Sequence, residues 1–301
     1  MNDMTPLRAV PLQSVADIGG SEIPYLYYEG GGPPLVLLHA TGFNPWLWHP
    51  IARRLNDAFT IYCPYFCDHR EGDPEAGGVG WMHLAADLAG FCERLGLNAP
   101  CMAGHSMGGA VITIAAGRFG LTPSRMLLIE PILLPPTFYQ ERIRVEDHPL
   151  AGKSIKRRNQ WEDREEARAY LKSKPLFQAW DAEMLEVYLY SGMTEAADGG
   201  LELSCHPRKE AALFMGSMAY DPWPLMPHIT CPVRVLEGEQ TENKGLIDFR
   251  RAASTFPNGS FQEVAGVGHL IPMEAPELTA SHIRSFFDGA GLRQERTSGS
   301  A

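Results

Sequence analysis

The sequence has no long hydrophobic run, and its apolar stretches fall far below the roughly 18–20 residues of a membrane-spanning helix. The first residues, MNDMTPLRAV, place Asp3 where a signal peptide carries positive charge, and no apolar segment follows them. A block of lysine and arginine is also missing, and the formal net charge is −10. These features argue against binding to nucleic acid or to an anionic membrane. We therefore expect a soluble, cytoplasmic protein without membrane insertion.

The cysteines lack the paired spacing of a metal site. Six are present, scattered from Cys63 to Cys231. Cys63 and Cys67 are four positions apart, but no second Cys or His pair lies at zinc-finger spacing. We expect reduced thiols, no metal and no cofactor.

Short apolar runs alternate with helix-length amphipathic segments along the 301 residues. The runs predict strands at residues 25–28, 35–39, 60–63, 101–103, 126–129, 233–236 and 261–264. The segments between them predict helices at residues 46–55, 81–95, 107–118, 247–256 and 277–287. Continuous apolar strands separated by helices are typical of a mostly parallel sheet covered on both faces, and thus of an α/β fold.

The alternation is interrupted over residues 132–223, where the pattern is helical, polar and aromatic, without a convincing strand. Proline clusters flank this segment at Pro135-Pro136 and at Pro222 and Pro224. The interruption predicts a helical cap over the ends of the strands. The expected divisions are a core of residues 1–131 and 224–290, the cap between them, and a disordered tail at 291–301.

A serine lies between glycines in GHSMG, residues 104–108, at the end of one predicted strand and the start of a helix. This is the G-x-S-x-G pattern of a nucleophile elbow, a turn so sharp that side chains at the glycine positions would clash. The turn would place the hydroxyl of Ser106 above the N–H groups that begin the helix. A glycine-rich packing turn would explain the glycines but not the serine between them.

Three segments together resemble the α/β-hydrolase family over about residues 20–290: LLHATGF (37–43), GHSMGG (104–109) and GVGHLIPME (266–274). Within the family, the chain is most similar to capped serine esterases and lipase-like hydrolases. The resemblance implies that Ser106 is the nucleophile and that His269, in the histidine loop, is its base. His105 is expected to support packing.

The oxyanion hole needs two N–H donors. One is the amide of Met107, the residue after the serine. By alignment with the family the other is the amide of Thr41, although Ala40 stands where the family usually has glycine. His39 is expected to orient this loop through hydrogen bonds.

The third member of the triad stays open between two carboxylates. The family usually places an aspartate after the strand at 233–236, and Glu242 lies at about that place. Glu130 instead ends a buried strand directly, where an unpaired carboxylate is costly and His269 is a natural partner. Haloalkane dehalogenases resemble this second arrangement. The desolvation argument favours Glu130, and Glu239 and Asp68 are lesser candidates.

A serine nucleophile favours acyl transfer over the chemistry of relatives that use aspartate. We expect a carboxylesterase that cleaves short or medium apolar acyl esters through an acyl-serine. Carbon–carbon-bond hydrolase, thioesterase, lactonase and non-catalytic small-molecule receptor remain alternatives. The expected partner is a small-molecule ester, with a homodimer as an open alternative to a monomer. The residues expected to line an apolar pocket are His39, Phe43, Ile132, Leu133, Phe138, Trp161, Trp180 and Leu270.

Overall fold

The computed structural model describes residues 10–66, 69–197 and 199–288. The tail predicted at 291–301 lies outside these residues, as do Cys67 and Asp68. Within the described residues, no helix is both long enough and apolar enough to cross a bilayer.

A mixed sheet of eight strands forms the centre of the described chain. In chain order, the strands of the protein are β1 (Leu12–Asp17), β2 (Glu22–Tyr28), β3 (Pro34–Leu38), β4 (Thr60–Pro64), β5 (Cys101–His105), β6 (Arg125–Ile129), β7 (Gln160–Trp161), β8 (Met193–Glu195), β9 (Leu201–Leu203), β10 (Val233–Gly238) and β11 (Gly259–Val264). The central sheet has the order β1-β2-β4-β3-β5-β6-β10-β11. β2 runs antiparallel to β1 and to β4, whereas the strands from β4 to β11 in this order pair in parallel. The predicted mostly parallel sheet is confirmed.

Helices cover both faces of this sheet. The α-helices are α1 (His49–Ala52), α2 (Trp81–Arg94), α3 (Met107–Arg118), α4 (Ala151–Ser154), α5 (Arg164–Lys172), α6 (Pro175–Gln178), α7 (Ala182–Ser191), α8 (Pro207–Met215), α9 (Phe249–Thr255), α10 (Ile271–Glu274) and α11 (Pro276–Asp288). Short 3₁₀ helices lie at Pro45–Trp48, Pro74–Ala76, Pro136–Gln140, Val145–Asp147, Gly216–Met218, Trp223–His228 and Glu242–Gly245.

Alternate residues of the inner strands enter two hydrophobic cores, one on each face. In β6, Met126 and Leu128 pack with α2, α3 and α9, whereas Leu127 and Ile129 pack with α1 and α11. Because both faces are covered, all four side chains are fully buried, and the strand reads as a continuous apolar run. Because helices bury both faces of the inner strands, these strands could be predicted from their apolar runs in the sequence.

Outside the segment between β6 and β10, two elements differ from the sequence prediction. β1 was not predicted, because it is an edge strand in which only Ala16 is buried and no apolar run marks it. The single helix predicted at 46–55 is a 3₁₀ helix followed by the short α1. Pro45 and Pro50 each stand near the start of one of these pieces, where the missing N–H of proline is tolerated.

Residues 130–232, called the insertion below, connect β6 to β10. They contain α4 to α8, in agreement with a largely helical segment, but β7, β9 and β8 form a small antiparallel sheet within it. The expectation that this segment has no strand was therefore wrong. Strands of two or three residues are too short to produce an alternating pattern in the sequence.

Candidate active site

Ser106 lies in the sharp turn between the end of β5 and the first residue of α3. Its backbone has φ 55° and ψ −115°, a conformation that a residue with a side chain rarely adopts. Two of its backbone hydrogen bonds join it to the chain around the end of β6: its N–H donates to Ile129 over 2.9 Å, and its carbonyl accepts from Ile132 over 3.2 Å. The strained turn is thus fixed to the chain that leaves β6.

The glycines of the turn have no room for a side chain. A Cβ added to Gly104 would lie 2.5 Å from the carbonyl carbon of Gly108 and 2.6 Å from the amide nitrogen of Gly109. A Cβ added to Gly108 would lie 2.5 Å from the carbonyl oxygen of Leu38. The close approach of β5, α3 and β3 therefore requires glycine, as the elbow pattern predicted.

Glu130 follows β6 directly, and its side chain is completely buried. Its backbone also has a positive φ, 47°. One carboxylate oxygen, Oε1, accepts from the N–H of Gly238 over 2.7 Å. The other, Oε2, accepts from the hydroxyl of Thr241 over 2.9 Å, from the amide of Asn243 over 3.3 Å and lies 3.1 Å from Nδ1 of His269. Each oxygen is satisfied, as a buried carboxylate requires.

His269 lies in the loop between β11 and α10. Because Nδ1 of its ring is bound to Glu130, Nε2 is the nitrogen left for proton transfer. The loop is held from below by Glu274, whose carboxylate accepts from the N–H of Gly268 over 2.7 Å and from that of Leu270 over 3.2 Å. Both chain neighbours of His269 are therefore held by Glu274, and the ring itself is held at Nδ1 by Glu130.

His105 connects this loop to the elbow. Its Nε2 lies 3.0 Å from the carbonyl oxygen of His269, and because a carbonyl can only accept, Nε2 carries the proton. Burial lowers the pKa of His105 well below its usual value, and the neighbouring His269 lowers it further. The ring is thus a neutral donor next to Ser106. The packing role expected for His105 includes this specific hydrogen bond.

Ser106 and His269 are brought to the same end of the sheet, at the ends of β5 and β11. Ser106 is 6% exposed. Among the described residues, no hydrogen bond joins its hydroxyl to the histidine ring. Such contacts between nucleophile and base are often loose without substrate and tighten when substrate binds.

The two expected oxyanion donors are the amides of Met107, at the start of α3, and of Thr41, in the turn after β3. Met107 is the first residue of α3, where a backbone N–H has no acceptor within the helix. Thr41 occupies a tight turn in which the N–H of Phe43 donates to Ala40 over 3.3 Å, so the amide of Thr41 is not used by the turn itself. Gly42 provides the positive φ, 76°, that this turn needs.

The insertion packs directly against this turn. A Cβ added to Gly42 would lie 2.2 Å from Oε1 of Glu210, a buried residue of α8. The other oxygen of Glu210 accepts from the guanidinium of Arg157 over 2.8 Å and from the hydroxyl of Ser154. A partly buried ion pair of the insertion thus lies behind the loop that carries the expected second oxyanion donor.

His39, at the end of β3, contacts the same loop. Its Nε2 accepts from the N–H of Phe66 over 3.0 Å, which leaves Nδ1 as the donor to the carbonyl of Ala40 over 2.8 Å. Both contacts are to backbone, as the expected orienting role requires. The pocket-lining role expected for His39 stays a prediction.

The other residues expected in an apolar pocket divide between the two hydrophobic cores. Ile132, Leu133 and Phe138 pack with the core that includes α3, whereas Phe43, Trp161, Trp180 and Leu270 belong to the other. Phe43 contacts Trp180, with ring centroids 5.6 Å apart. The ring of Trp161 contacts Tyr170 of α5. The expected wall is therefore not one continuous cluster.

Of the two candidate acids, Glu130 contacts the histidine and Glu242 does not. Glu242 is exposed at the start of a 3₁₀ turn. Glu239 accepts from the N–H of Gly266 in the histidine loop, and Asp68 lies outside the described residues.

Sequence reasoning missed Thr241 and Asn243, whose side chains contact the Glu130 carboxylate, and Glu274, which holds the histidine loop. The available signal was that a carboxylate at the end of a buried strand needs donors from the polar loop of the adjacent strand.

Known proteins share the sequence pattern and the fold of this chain. A family model described as the alpha/beta hydrolase family matches residues 35–282. A curated relative, the 2-(acetamidomethylene)succinate hydrolase of Mesorhizobium japonicum, is 24% identical over 261 residues, which cover 86% of this chain and 90% of the relative.

Two solved structures share the fold. The structure of E-2-(acetamidomethylene)succinate hydrolase superposes with a TM-score of 0.77 at 22% identity and covers 92% of this chain and 99% of its own. A thermophilic esterase from Thermogutta terrifontis, solved with malate bound, superposes with a TM-score of 0.67 at 24% identity and covers 93% and 99%. These likenesses extend the match to the whole α/β architecture.

The packing of the elbow leads to a stability prediction. Gly104→Ala forces backbone atoms of the turn apart, and we expect it to lower the free energy of unfolding by about 3 kcal/mol, as overpacking does. Gly90→Ala in α2 is the matched control, because its new Cβ would meet Ile18 at an ordinary 3.6 Å. We expect the control to stabilise by about 0.5–1 kcal/mol. Urea denaturation measures both, and an unchanged midpoint for Gly104→Ala would contradict the close packing.

Proposed function

The chain belongs to the alpha/beta hydrolase family, and from this premise we propose that it is a serine hydrolase that cleaves carboxylic esters through an acyl-serine intermediate. The proposal rests above all on one observation: the buried Glu130 carboxylate lies 3.1 Å from Nδ1 of His269, which leaves the other ring nitrogen free as a base. A histidine oriented in this way is what activates a serine hydroxyl.

In the first step, the Ser106 oxygen forms a bond to the acyl carbon while its proton passes to Nε2 of His269. The amides of Met107 and Thr41 stabilise the negative charge that develops on the acyl oxygen. The carbon–oxygen bond to the alcohol then breaks, and the alcohol leaves with the proton from His269. Water then takes the place of the serine as attacking group: its oxygen bonds to the acyl carbon while one of its protons passes to His269. The bond between the acyl carbon and the Ser106 oxygen breaks, the serine oxygen takes the proton back from His269, and the carboxylic acid is released.

Glu130 stabilises the imidazolium that forms in both steps and keeps the ring in the productive tautomer. Its position supports the role, because the donors around it satisfy the carboxylate without a competing cation: they are a backbone N–H, a hydroxyl, an amide and the ring itself. The negative charge is therefore available to the histidine.

A second candidate is the hydrolysis of a substituted dicarboxylic acid of the kind named for the relative from Mesorhizobium japonicum. It is favoured by a similarity that extends over 86% of this chain and 90% of that relative. Ester hydrolysis is favoured by the apolar and aromatic side chains next to the oxyanion loop, where Phe43 contacts Trp180 and Tyr188. In this chain, both proposed reactions would use the same serine, base and oxyanion donors.

Ser106→Ala tests the nucleophile. We expect it to lower kcat/KM for p-nitrophenyl butyrate by at least about 10⁴-fold and to abolish labelling by an alkyl phosphonate, because no hydroxyl remains to form the covalent bond. The thermal melt is expected to stay close to that of the original protein. Ser124→Ala is a control at another serine. Phosphonate labelling without turnover in the unaltered protein would instead support a receptor that retains the site.

Paired substitutions test the acid. Glu130→Gln keeps the shape of the side chain but removes its charge, and we expect kcat to fall by about 10³–10⁴-fold. Glu242→Gln is the matched control, because this carboxylate is exposed, and we expect its kcat and KM to equal those of the original enzyme. Steady-state kinetics with one ester compares them. A large loss in Glu242→Gln alone would contradict the assignment of Glu130.

A substrate panel separates the two candidate reactions. We expect p-nitrophenyl acetate, butyrate and octanoate to be hydrolysed, with kcat/KM highest for a short or medium chain. The second candidate instead predicts turnover of 2-(acetamidomethylene)succinate and poor turnover of every neutral ester. Release of p-nitrophenol measures the hydrolysis of the esters, and release of acetate measures the hydrolysis of 2-(acetamidomethylene)succinate. The Ser106→Ala variant gives the background rate of each assay.

A further inference from the structure

Two side chains from different loops meet at the same nitrogen of the candidate base. Nδ1 of His269 lies 3.1 Å from Oε2 of Glu130 and 3.0 Å from the side-chain amide nitrogen of Asn243. Glu130 comes from the end of β6, whereas Asn243 comes from the loop after the neighbouring strand β10. The same amide lies 3.3 Å from Oε2 of Glu130, so the three groups form a closed triangle.

The chemistry of the three groups determines which of them donates. A carboxylate only accepts, so both Nδ1 of His269 and the amide of Asn243 direct a proton at Oε2. If the amide were reversed, its carbonyl oxygen would face the carboxylate without a hydrogen between them. The orientation that donates to Glu130 therefore makes two hydrogen bonds to Oε2, and the 3.0 Å contact between the amide nitrogen and Nδ1 joins two donors and is not a hydrogen bond.

Thr241 completes the support of Glu130. Its hydroxyl donates to Oε2 over 2.9 Å, and it also accepts from the backbone N–H of Asn243 over 3.3 Å, which fixes the start of the turn that carries the asparagine. Thr241 is buried, and Asn243 is partly buried. The loop after β10 thus contributes a hydroxyl and an amide to the acid.

We propose that Asn243 and Thr241 are positioning residues that hold the Glu130 carboxylate against His269. The proposal rests on the function proposed above. An aspartate at 243 has the same length as the asparagine, so one of its oxygens would take the place of an atom 3.0 Å from Nδ1. Next to Glu130 it would bring two negative charges together, which explains why an amide suits that position.

The test uses the full chain and the ester that the unaltered enzyme turns over. Glu130→Gln gives the low reference activity. Glu130→Gln/Asn243→Asp returns a carboxylate from the other loop, and we expect kcat to recover at least about tenfold over the single variant. Glu130→Gln/Asn243→Ala is the matched control: it removes the amide without adding a carboxylate, and no recovery is expected. Glu242 is present in each of these variants, so a low activity of Glu130→Gln would mean that a carboxylate one residue away does not substitute.

A second measurement does not depend on the double variant. In the presence of Glu130, Asn243→Ala is expected to lower kcat by about tenfold, the effect of a lost hydrogen bond to a charged group, while KM and the thermal melt stay the same. A merely structural role would lower the melting temperature and leave kcat per folded molecule unchanged. Thr241→Val is expected to act in the same direction as Asn243→Ala.

Recovery in the double variant, or a loss confined to kcat in Asn243→Ala, supports the proposal. If neither the recovery nor the loss of kcat is seen, the positioning proposal is overturned. In that case, low activity of Ser106→Ala and of Glu130→Gln would still support the proposed hydrolase function. If Ser106→Ala and Glu130→Gln are as active as the original protein, the proposed function itself fails. The two failures are therefore distinguished in one set of kinetics.

Discussion

The hydrogen bond between the buried carboxylate of Glu130 and Nδ1 of His269 is the constraint on which the rest of the site depends. A carboxylate removed from water must be fully hydrogen-bonded, and this requirement explains the surrounding structure. The chain turns through a positive φ at Glu130, the N–H of Gly238 at the end of β10 faces Oε1, and the next loop supplies Thr241. Two adjacent parallel strands thus end in one network, and the histidine loop of a third closes it.

Much of this could be predicted from the sequence because its signals are local. The inner strands are buried on both faces and appear as continuous apolar runs, so their order with the helices indicated the parallel sheet. The elbow at Ser106 has its own pattern, because only glycine fits at Gly104 and Gly108. The cost of burying Glu130 at the end of an apolar strand favoured it over Glu242, and the structure places it against His269.

The remaining features depend on contacts between residues distant in the chain. Nothing in the spacing of Asn243 relates it to Glu130, 113 positions away, since only the adjacency of β6 and β10 brings them together. The exposed edge strand β1 and the very short strands of the insertion leave no periodic pattern. Apolar residues such as Leu133 and Trp180 look alike in the sequence, and only the packing assigns them to opposite cores.

The contact between Glu210 and Gly42 has a mechanical consequence. In the insertion, the carboxylate of Glu210 in α8 pairs with Arg157 and lies against the backbone of the turn that carries Thr41. If α8 moved away from the sheet as a rigid body, the contact between Glu210 and the turn at Gly42 would be lost. The turn that carries Thr41 therefore keeps this support only while α8 stays in place.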